Sequence, residues 1–339
     1  MLESSGRHET PDDQMRFDST FLNLFSCPAC VGDITAQPSE SDTGKLICAG
    51  CGSTYPVVNG IPRFVTGGNY ADSFGMQWNR HRRTQLDSFT GVPTSRNRLF
   101  TATAWPERLT GEVILEAGSG AGRFTEVLIE TGARVYSFDY SAAVEANAAS
   151  NGAAGNLCVF QADIFHIPVR RQAFDKVFCL GVLQHTPDPE RAFKSLTEHV
   201  RPGGQLVVDI YAKRLTAVVS WKYLLRPITK RMDTERLHRL VERAVHGLLP
   251  LAIRLRRIAG RAGVRLLPIT EYSNLGLPPE VNRQWAVLDT FDMYSPAHDH
   301  PRTIPTVTRW FEEAGFTQIE VGRGPNGIVG RGRRPSHGA

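Results

Sequence analysis

Glycines at positions 118, 120 and 122 follow an apolar run, Val113-Ile114-Leu115, that passes through the acidic Glu116. A buried strand that delivers its chain end into so tight a turn lets the backbone approach a ligand closely, because glycine adopts conformations closed to other residues. Asp139 ends a second apolar run twenty-one residues after Gly118. There a carboxylate can accept hydrogen bonds from both hydroxyls of a ribose. Loop and acid together specify a nucleoside cofactor. A dinucleotide loop would carry its third glycine one position later, where Arg123 stands. A pyrophosphate on a helix N-terminus also calls for positive potential, which Glu116 opposes. A cofactor bearing an amine and a cation would accept that carboxylate.

A second chemistry lies upstream. Cys27 and Cys30, then Cys48 and Cys51, form two C-x-x-C knuckles separated by seventeen residues. This is the ligand spacing of a four-cysteine zinc ribbon. Four cysteines fill the coordination shell of the ion, so the Zn2+ is expected to be structural. A module of about fifty residues buries too little to fold well without such a staple. The remaining thiols, Cys158 and Cys179, lie in apolar strands and read as core residues.

The elements that must position these groups alternate. From residue 111 to 211 strand-like and helix-like runs follow one another, which is the pattern of a doubly wound, mostly parallel α/β sheet. Residues 157–164 read as a third strand ending in Asp163, 174–185 as a fourth strand with its exit loop, and 201–208 as a turn and fifth strand. Ligands of such sheets sit beyond the carboxyl ends of the strands, and Glu116, Asp139, Asp163 and Leu180 all fall there.

The E-x-G-x-G-x-G pattern of residues 116–122 resembles motif I of the class I S-adenosylmethionine-dependent methyltransferases. The series that follows, through Asp163, the loop at 180–185 and the Arg201-Pro202-Gly203-Gly204 turn, is similar to theirs in order and residue type. The likeness covers residues 75–330 and is nearest to the bacterial ubiquinone/menaquinone-methylase-like enzymes. It implies a seven-stranded Rossmann-like sheet, completed by strands at 317–321 and 327–329, with S-adenosyl-L-methionine as cofactor. Cofactor contacts then fall on Glu116, Gly118, Ser119, Gly120, Gly122, Asp139, Tyr140, Asp163, Ile164 and Leu180. Among these, Asp163 would meet the adenine amine and the apolar residue after it would pack on the ring. His185 leaves the fourth strand on the side facing the methyl group in this topology. It titrates near neutrality and is the leading candidate for the base, the rival reading being a histidine that fixes its loop. Tyr211 and Tyr294 are candidates for orienting a substrate, and His298, with Asp299 and His300, forms a second candidate group. Helical pieces at 74–80 and 84–87 resemble pre-core helices that close over the cofactor. Gln77 and Trp78 are therefore candidates for a lid, or else simply pack a linker helix. The stretch at 55–62 resembles ribbon modules fused to, or partnered with, methyltransferases.

A chain of 339 residues has room for two domains. A polar tail (1–18), the ribbon (19–68), a linker with lid helices (69–110), the core (111–330) and a basic tail (331–339) are expected. No run approaches the roughly 20 apolar residues of a membrane span, and the start has no signal-peptide pattern, so a cytoplasmic location is expected. The net charge of +5 hides an asymmetry: fourteen Lys and Arg stand against three acids between Lys213 and Pro268, so everything else sums to −6. That basic stretch belongs to an insert at 213–275 with a helical pattern, broken at Pro227, Pro250 and Gly260. It reads as a cap whose apolar face covers a substrate pocket and whose arginines are solvated. A basic amphipathic surface also suits peripheral membrane or RNA contact, though aromatic residues for base stacking are scarce there. The favoured function is methyl transfer, at oxygen, to a small-molecule or glycan acceptor. Alternatives are an rRNA or tRNA base methyltransferase, C-methylation of a lipid-like acceptor at a membrane surface, and a cofactor-binding regulator without turnover. Some ribosomal guanine methyltransferases carry an N-terminal zinc module. Against the RNA reading, the loop at 180–185 lacks the Asn/Asp-Pro-Pro-Tyr/Phe sequence of many nucleic-acid amino-methylases.

Overall fold

Residues 17–37, 44–65, 71–213 and 220–336 are described in a computed structural model of the chain. The polar tail up to residue 16 and the last three residues of the basic tail lie outside them.

Four short strands form an antiparallel meander, β1 (Ile34–Gln37), β2 (Lys45–Cys48), β3 (Thr54–Val58) and β4 (Ile61–Pro62). Three helices lead on: α1 (Asp72–Arg80), α2 (Asp87–Thr90) and α3 (Thr94–Thr103). The expected helical pieces correspond to α1 and to the turn that enters α2. Nothing in the apolar pattern announces α3, which buries Ser95, Leu99, Ala102 and Thr103. The core then alternates through β5 (Val113–Ala117), α4 (Arg123–Glu130), β6 (Arg134–Asp139), α5 (Val144–Asn151), β7 (Leu157–Gln161), β8 (Phe174–Cys179), α6 (Pro189–Thr197) and β9 (Val200–Ile210). The insert supplies α7 (Trp221–Thr229) and α8 (Thr234–Val264), and α9 (Pro279–Tyr294) follows it. Helix α10 (Ile304–Glu313), β10 (Thr317–Gly324) and β11 (Gly327–Arg333) close the chain.

The seven-stranded sheet has the order β10-β11-β9-β8-β5-β6-β7. Strands β5 to β9 pair in parallel and β11 pairs antiparallel to both neighbours. Leu115, Val135, Tyr136, Val177 and Leu206 are fully buried, as strands covered on both faces require. From β5 the chain winds outward to β7, then returns to β8 on the other side of β5. The strand ends of β5 and β8 thus form the switch point at which such folds bind ligands.

Two expectations are corrected here. Pro227 and Pro250 do not break the insert: each lies inside a helix, and only Gly260 (φ 57°, ψ −140°) kinks α8. Pro227 and Pro250 are both exposed; proline in a helix interior sacrifices a main-chain hydrogen bond. The basic tail, in turn, does not begin at Arg331. Residues 331–333 belong to β11 and pair with Val207, Leu206 and Gln205 of β9. The Gly330-Arg331-Gly332-Arg333 alternation has a packing cause. A Cβ at Gly330 or Gly332 would be driven into Phe311, so α10 lies directly on the sheet there. Arg331 donates to the Thr101 and Ala102 carbonyls at 2.8 and 2.6 Å, where it caps the end of α3.

The meander is joined to the sheet, not tethered beside it. Arg63 bridges in parallel to Gln161 at the end of the edge strand β7, and Phe25 bridges antiparallel to Val169. Phe25 stacks on Phe64 with centroids 5.5 Å apart and meets Phe160 edge-on at 5.1 Å. One apolar core therefore contains Phe21 ahead of the meander and Leu46 and Val57 within it, together with Tyr136 and Phe160 of the sheet and Val169 of the loop after β7.

Candidate active site

Gly118 turns the chain out of β5 with φ +81°, and a Cβ there would be driven into Val182 of the loop after β8. No residue but glycine fits that contact without strain. The N–H groups of Gly118 and Ser119 donate to the Phe138 carbonyl at 2.8 and 2.9 Å. This ties the loop to β6. At the tip of β6, Asp139 Oδ2 accepts from the Gly120 N–H at 2.9 Å, while Ser141 holds Oδ1 through its N–H and hydroxyl at 2.8 and 2.7 Å. Burial raises the Asp139 carboxyl above its usual range, and those hydrogen bonds oppose the rise. Loop and carboxylate face a cavity of about 790 Å3.

Ser119, Tyr140, Ile164 and Leu180 line this cavity with Gly118, Gly120 and Asp139. Three residues expected there do not. Glu116 lies within β5 and projects from the sheet against α4, since strand side chains leave the faces and not the end. Its Oε2 accepts from Thr125 and Ser137 hydroxyls at 2.5 and 2.8 Å, and Oε1 is buried without a partner. Burial pushes this carboxyl up to about 7. Gly122 lies over the same polar network: Asn151 donates to its carbonyl and to Asn147 Oδ1, at 3.1 and 2.9 Å. Asp163 also turns away. It closes its own turn by accepting from the Phe165 N–H at 3.0 Å and faces His166 Nδ1 at 3.1 Å, an Asx arrangement that satisfies the carboxylate locally.

The opposite wall is built by the helices. Trp78 of α1 lies against Gly120, and the buried Gln77 donates to the Leu288 carbonyl at 3.3 Å, which fastens α1 to α9. Both line the cavity. His185, in the single 3-10 turn Leu183–His185 after β8, has Nδ1 3.1 Å from the His298 carbonyl. A carbonyl only accepts, so Nδ1 carries the proton and Nε2 keeps its lone pair. Burial lowers the His185 pKa to about 4, with Lys222 and Arg226 adding to the fall and the His298 carbonyl and Asp299 opposing it. The ring is neutral at neutral pH. Tyr211, just past β9, meets it edge-on at 5.4 Å, and the Tyr211 hydroxyl donates to Asp292 Oδ2 at 3.4 Å. His298 is placed differently from the expectation: its carbonyl holds His185 while its own ring stacks on His300, and it is not among the cavity residues. Tyr294 is not among them either, and its hydroxyl donates to the Pro268 carbonyl at 2.9 Å.

Sequence reasoning missed much of this wall. Asp289 and Asp292 stand three residues apart on α9, both line the cavity, and burial pushes each up to about 6. Asp289 is held by Gln85 and Trp285 at 3.1 and 3.2 Å and by the Tyr272 hydroxyl. Two acids at helical spacing inside the apolar run 285–294 were a legible signal. Arg98 and Arg123 were not, because their roles depend on where α3 lands. Arg98 pairs with Asp209 at 3.0 Å. Arg123 donates to Gln85 Oε1 at 2.6 Å and to Ser95 Oγ at 3.1 Å. Burial, then Arg98, lowers the Arg123 pKa to about 9.

The four knuckle cysteines bring their sulfurs within 4.8 Å of one another. Cys27–Cys51 and Cys30–Cys48 separations of 3.7 and 3.4 Å suit thiolates arranged at about 2.3 Å around one tetrahedral ion. Gly32 and Gly50 press against these sulfurs, and the Gly50 N–H points at Cys48 Sγ from 3.3 Å. The cluster fits a zinc ion, which would be held by Cys27, Cys30, Cys48 and Cys51.

Fold and site define a Rossmann-like enzyme with a nucleoside-cofactor loop at its switch point. Comparison with known proteins narrows this. Residues 115–208 match the family model described as a methyltransferase domain, and residues 18–60 match the one described as Trm112p-like protein. A ubiquinone biosynthesis O-methyltransferase of Pectobacterium carotovorum is 27 % identical over 185 residues, covering 52 % of this chain and 75 % of that protein. The corresponding protein of Cronobacter sakazakii is 30 % identical over 130 residues, 36 % of this chain and 53 % of its own length. The chain thus spans only about half of this second relative. Among solved structures, an S-adenosylmethionine-dependent methyltransferase of Thermotoga maritima overlays with a TM-score of 0.43 at 15 % identity, covering 78 % of this chain and 98 % of its own. A likeness that loose says nothing about substrate. The chain carries a methyltransferase domain of the class I, S-adenosylmethionine-dependent type, with a Trm112p-like cysteine module in front of it.

Proposed function

We propose that the chain transfers a methyl group to an oxygen of a small-molecule or glycan acceptor held in the cavity between the glycine loop and α9. The observation that carries this reading is the continuity of that cavity. One enclosure of about 790 Å3 runs from Asp139 and the glycine loop to His185, Tyr211 and Asp292, toward the upper end of the roughly 300–1,000 Å3 of small-molecule sites. S-adenosylmethionine supplies, when bound, a methyl group on a sulfonium, which leaves by in-line displacement. Asp139, preset by Gly120 and Ser141, would hold ribose hydroxyls, and Ile164 and Leu180 offer apolar surface for the base.

The protein's own share of the chemistry is alignment and removal of a proton. His185 presents an unprotonated Nε2 because its Nδ1–H is committed to the His298 carbonyl. Tyr211 and Asp292 stand beside it to orient the acceptor. A hydroxyl acceptor needs such a base, which favours transfer to oxygen. The test is incubation with methyl-labelled S-adenosylmethionine and fractionated extracts of the source cells. Label is expected in the small-molecule or glycan fraction, and label moving into RNA would overturn the reading.

A further inference from the structure

We propose that the outer face of α7, with the C-terminal end of α8, docks on an anionic lipid bilayer and turns the mouth of the cavity toward it. Helix α7 carries Trp221, Leu224 and Ile228 at positions i, i+3 and i+7, one face of the helix. Their exposures are 38, 56 and 67 %. Ile258 and Leu266, near the end of α8, are 83 and 66 % exposed. The Trp221 indole N–H donates to the Leu266 carbonyl at 3.1 Å, which joins the two parts of this surface. Monomers seldom leave large apolar side chains exposed in a group without a partner.

The charge around this face selects the partner. Residues 221–266 hold twelve Lys and Arg against three acids. Lys230, Arg231, Arg254, Arg257, Arg261 and Arg265 are all exposed, and none forms an ion pair among the described residues. Exposed aliphatic residues interspersed with exposed cations along α7 and α8 match an interface of acyl chains and anionic headgroups. RNA would find cations here but little to stack on, since only Trp221 and Tyr223 are aromatic in α7 and α8. No described helix is long and apolar enough to cross a membrane, so the element lies on the surface. Arg261 is exposed and also lines the cavity with Lys222 and Arg256. The cavity therefore opens beside this face, and an acceptor that partitions into lipid would reach it without crossing water.

The test is co-sedimentation of the full chain with vesicles of phosphatidylcholine alone, and with vesicles carrying about a third phosphatidylglycerol. Binding to the anionic vesicles is expected to be at least about tenfold tighter and to weaken as salt rises. The double substitution Leu224→Asp/Ile228→Asp is expected to reduce it about tenfold or more, and Arg254→Glu/Arg257→Glu to do likewise. All four side chains are exposed, so an unchanged melting temperature separates lost docking from lost folding. Absence of sedimentation with anionic vesicles overturns the proposal. So does binding that ignores the apolar pair and follows charge alone, with structured RNA captured equally well. Either failure leaves the reading of the cavity standing, because label transfer in extracts is scored without vesicles.

Discussion

Glu116 and His185 show how far enclosure moves a titratable group. Burial raises the Glu116 carboxyl from 4.5 to about 7. Between those values the folded protein keeps a proton that the unfolded chain has lost. The stability contributed is therefore complete below about pH 4.5 and disappears as pH rises through about 7. Glutamine keeps the shape and has no charge to desolvate. The melting temperature of Glu116→Gln, relative to the unsubstituted protein, should rise between about pH 5 and about pH 8 by an amount worth up to roughly 3 kcal/mol. Parallel melting curves across that range would contradict the enclosure of this side chain. His185 moves the other way, to about 4, so the loss of turnover that belongs to it should come only near or below about pH 5, beneath any step that Asp292 gives at about 6. His185→Ala should cut kcat by roughly 10²- to 10⁴-fold and leave the calorimetric affinity for S-adenosylmethionine unchanged. Near-normal rates would reduce the histidine to a former of its loop.

The cysteine meander behaves as an eighth flank of the sheet. Its exit strand β4 runs into Arg63, which lies beside β7 and donates to Gln161 Oε1 at 3.1 Å while also pairing with Glu145 of α5. Gln161 in turn donates to the Tyr140 carbonyl at 3.0 Å, next to Asp139. A zinc ion in the knuckles would thus brace the edge strand whose exit loop lines the cofactor side of the cavity. Chelation of the metal should lower the melting temperature of the whole chain by roughly 10 °C or more, in one transition. It should also speed hydrogen exchange in β7. Two separate transitions, with the larger unmoved, would show that the meander is only appended.

At the scale of the molecule the insert concentrates the positive charge, while the remainder of the chain is net negative. Its helices do two things at once. Their inner faces pack Leu237, Val241 and Val245 against Ala286 and Phe291 of α9, and Lys222, Arg256 and Arg261 reach the cavity. The outer faces carry bare aliphatic side chains and arginines, Arg254 and Arg257 among them, that form no ion pair among the described residues. Such an asymmetry orients a protein at a charged surface before any specific contact forms. The vesicle experiment reads whether the apolar pair on α7 and the arginines on α8 carry that attraction.

The cofactor loop, the carboxylate at the end of β6, the cysteine knuckles and the alternation of the core could all be read from the order of residues. The loop, the carboxylate and each knuckle are written in short local stretches where backbone sets the geometry, and the alternation is a run of such stretches from residue 111 to 211. Tertiary structure alone decided the rest of the wall. Trp78, His185 and Tyr211 are candidates through the family resemblance, but Arg98 and Asp292 come from α3 and α9, and no spacing along the chain states that all five line one cavity. It also turned Glu116 and Asp163 away from the cavity, Glu116 onto the Thr125 and Ser137 hydroxyls and Asp163 onto the Phe165 N–H. The Gly-Arg-Gly-Arg stretch became a strand for the same kind of reason: the glycines make room for Phe311, a neighbour that exists only once α10 has packed on the sheet.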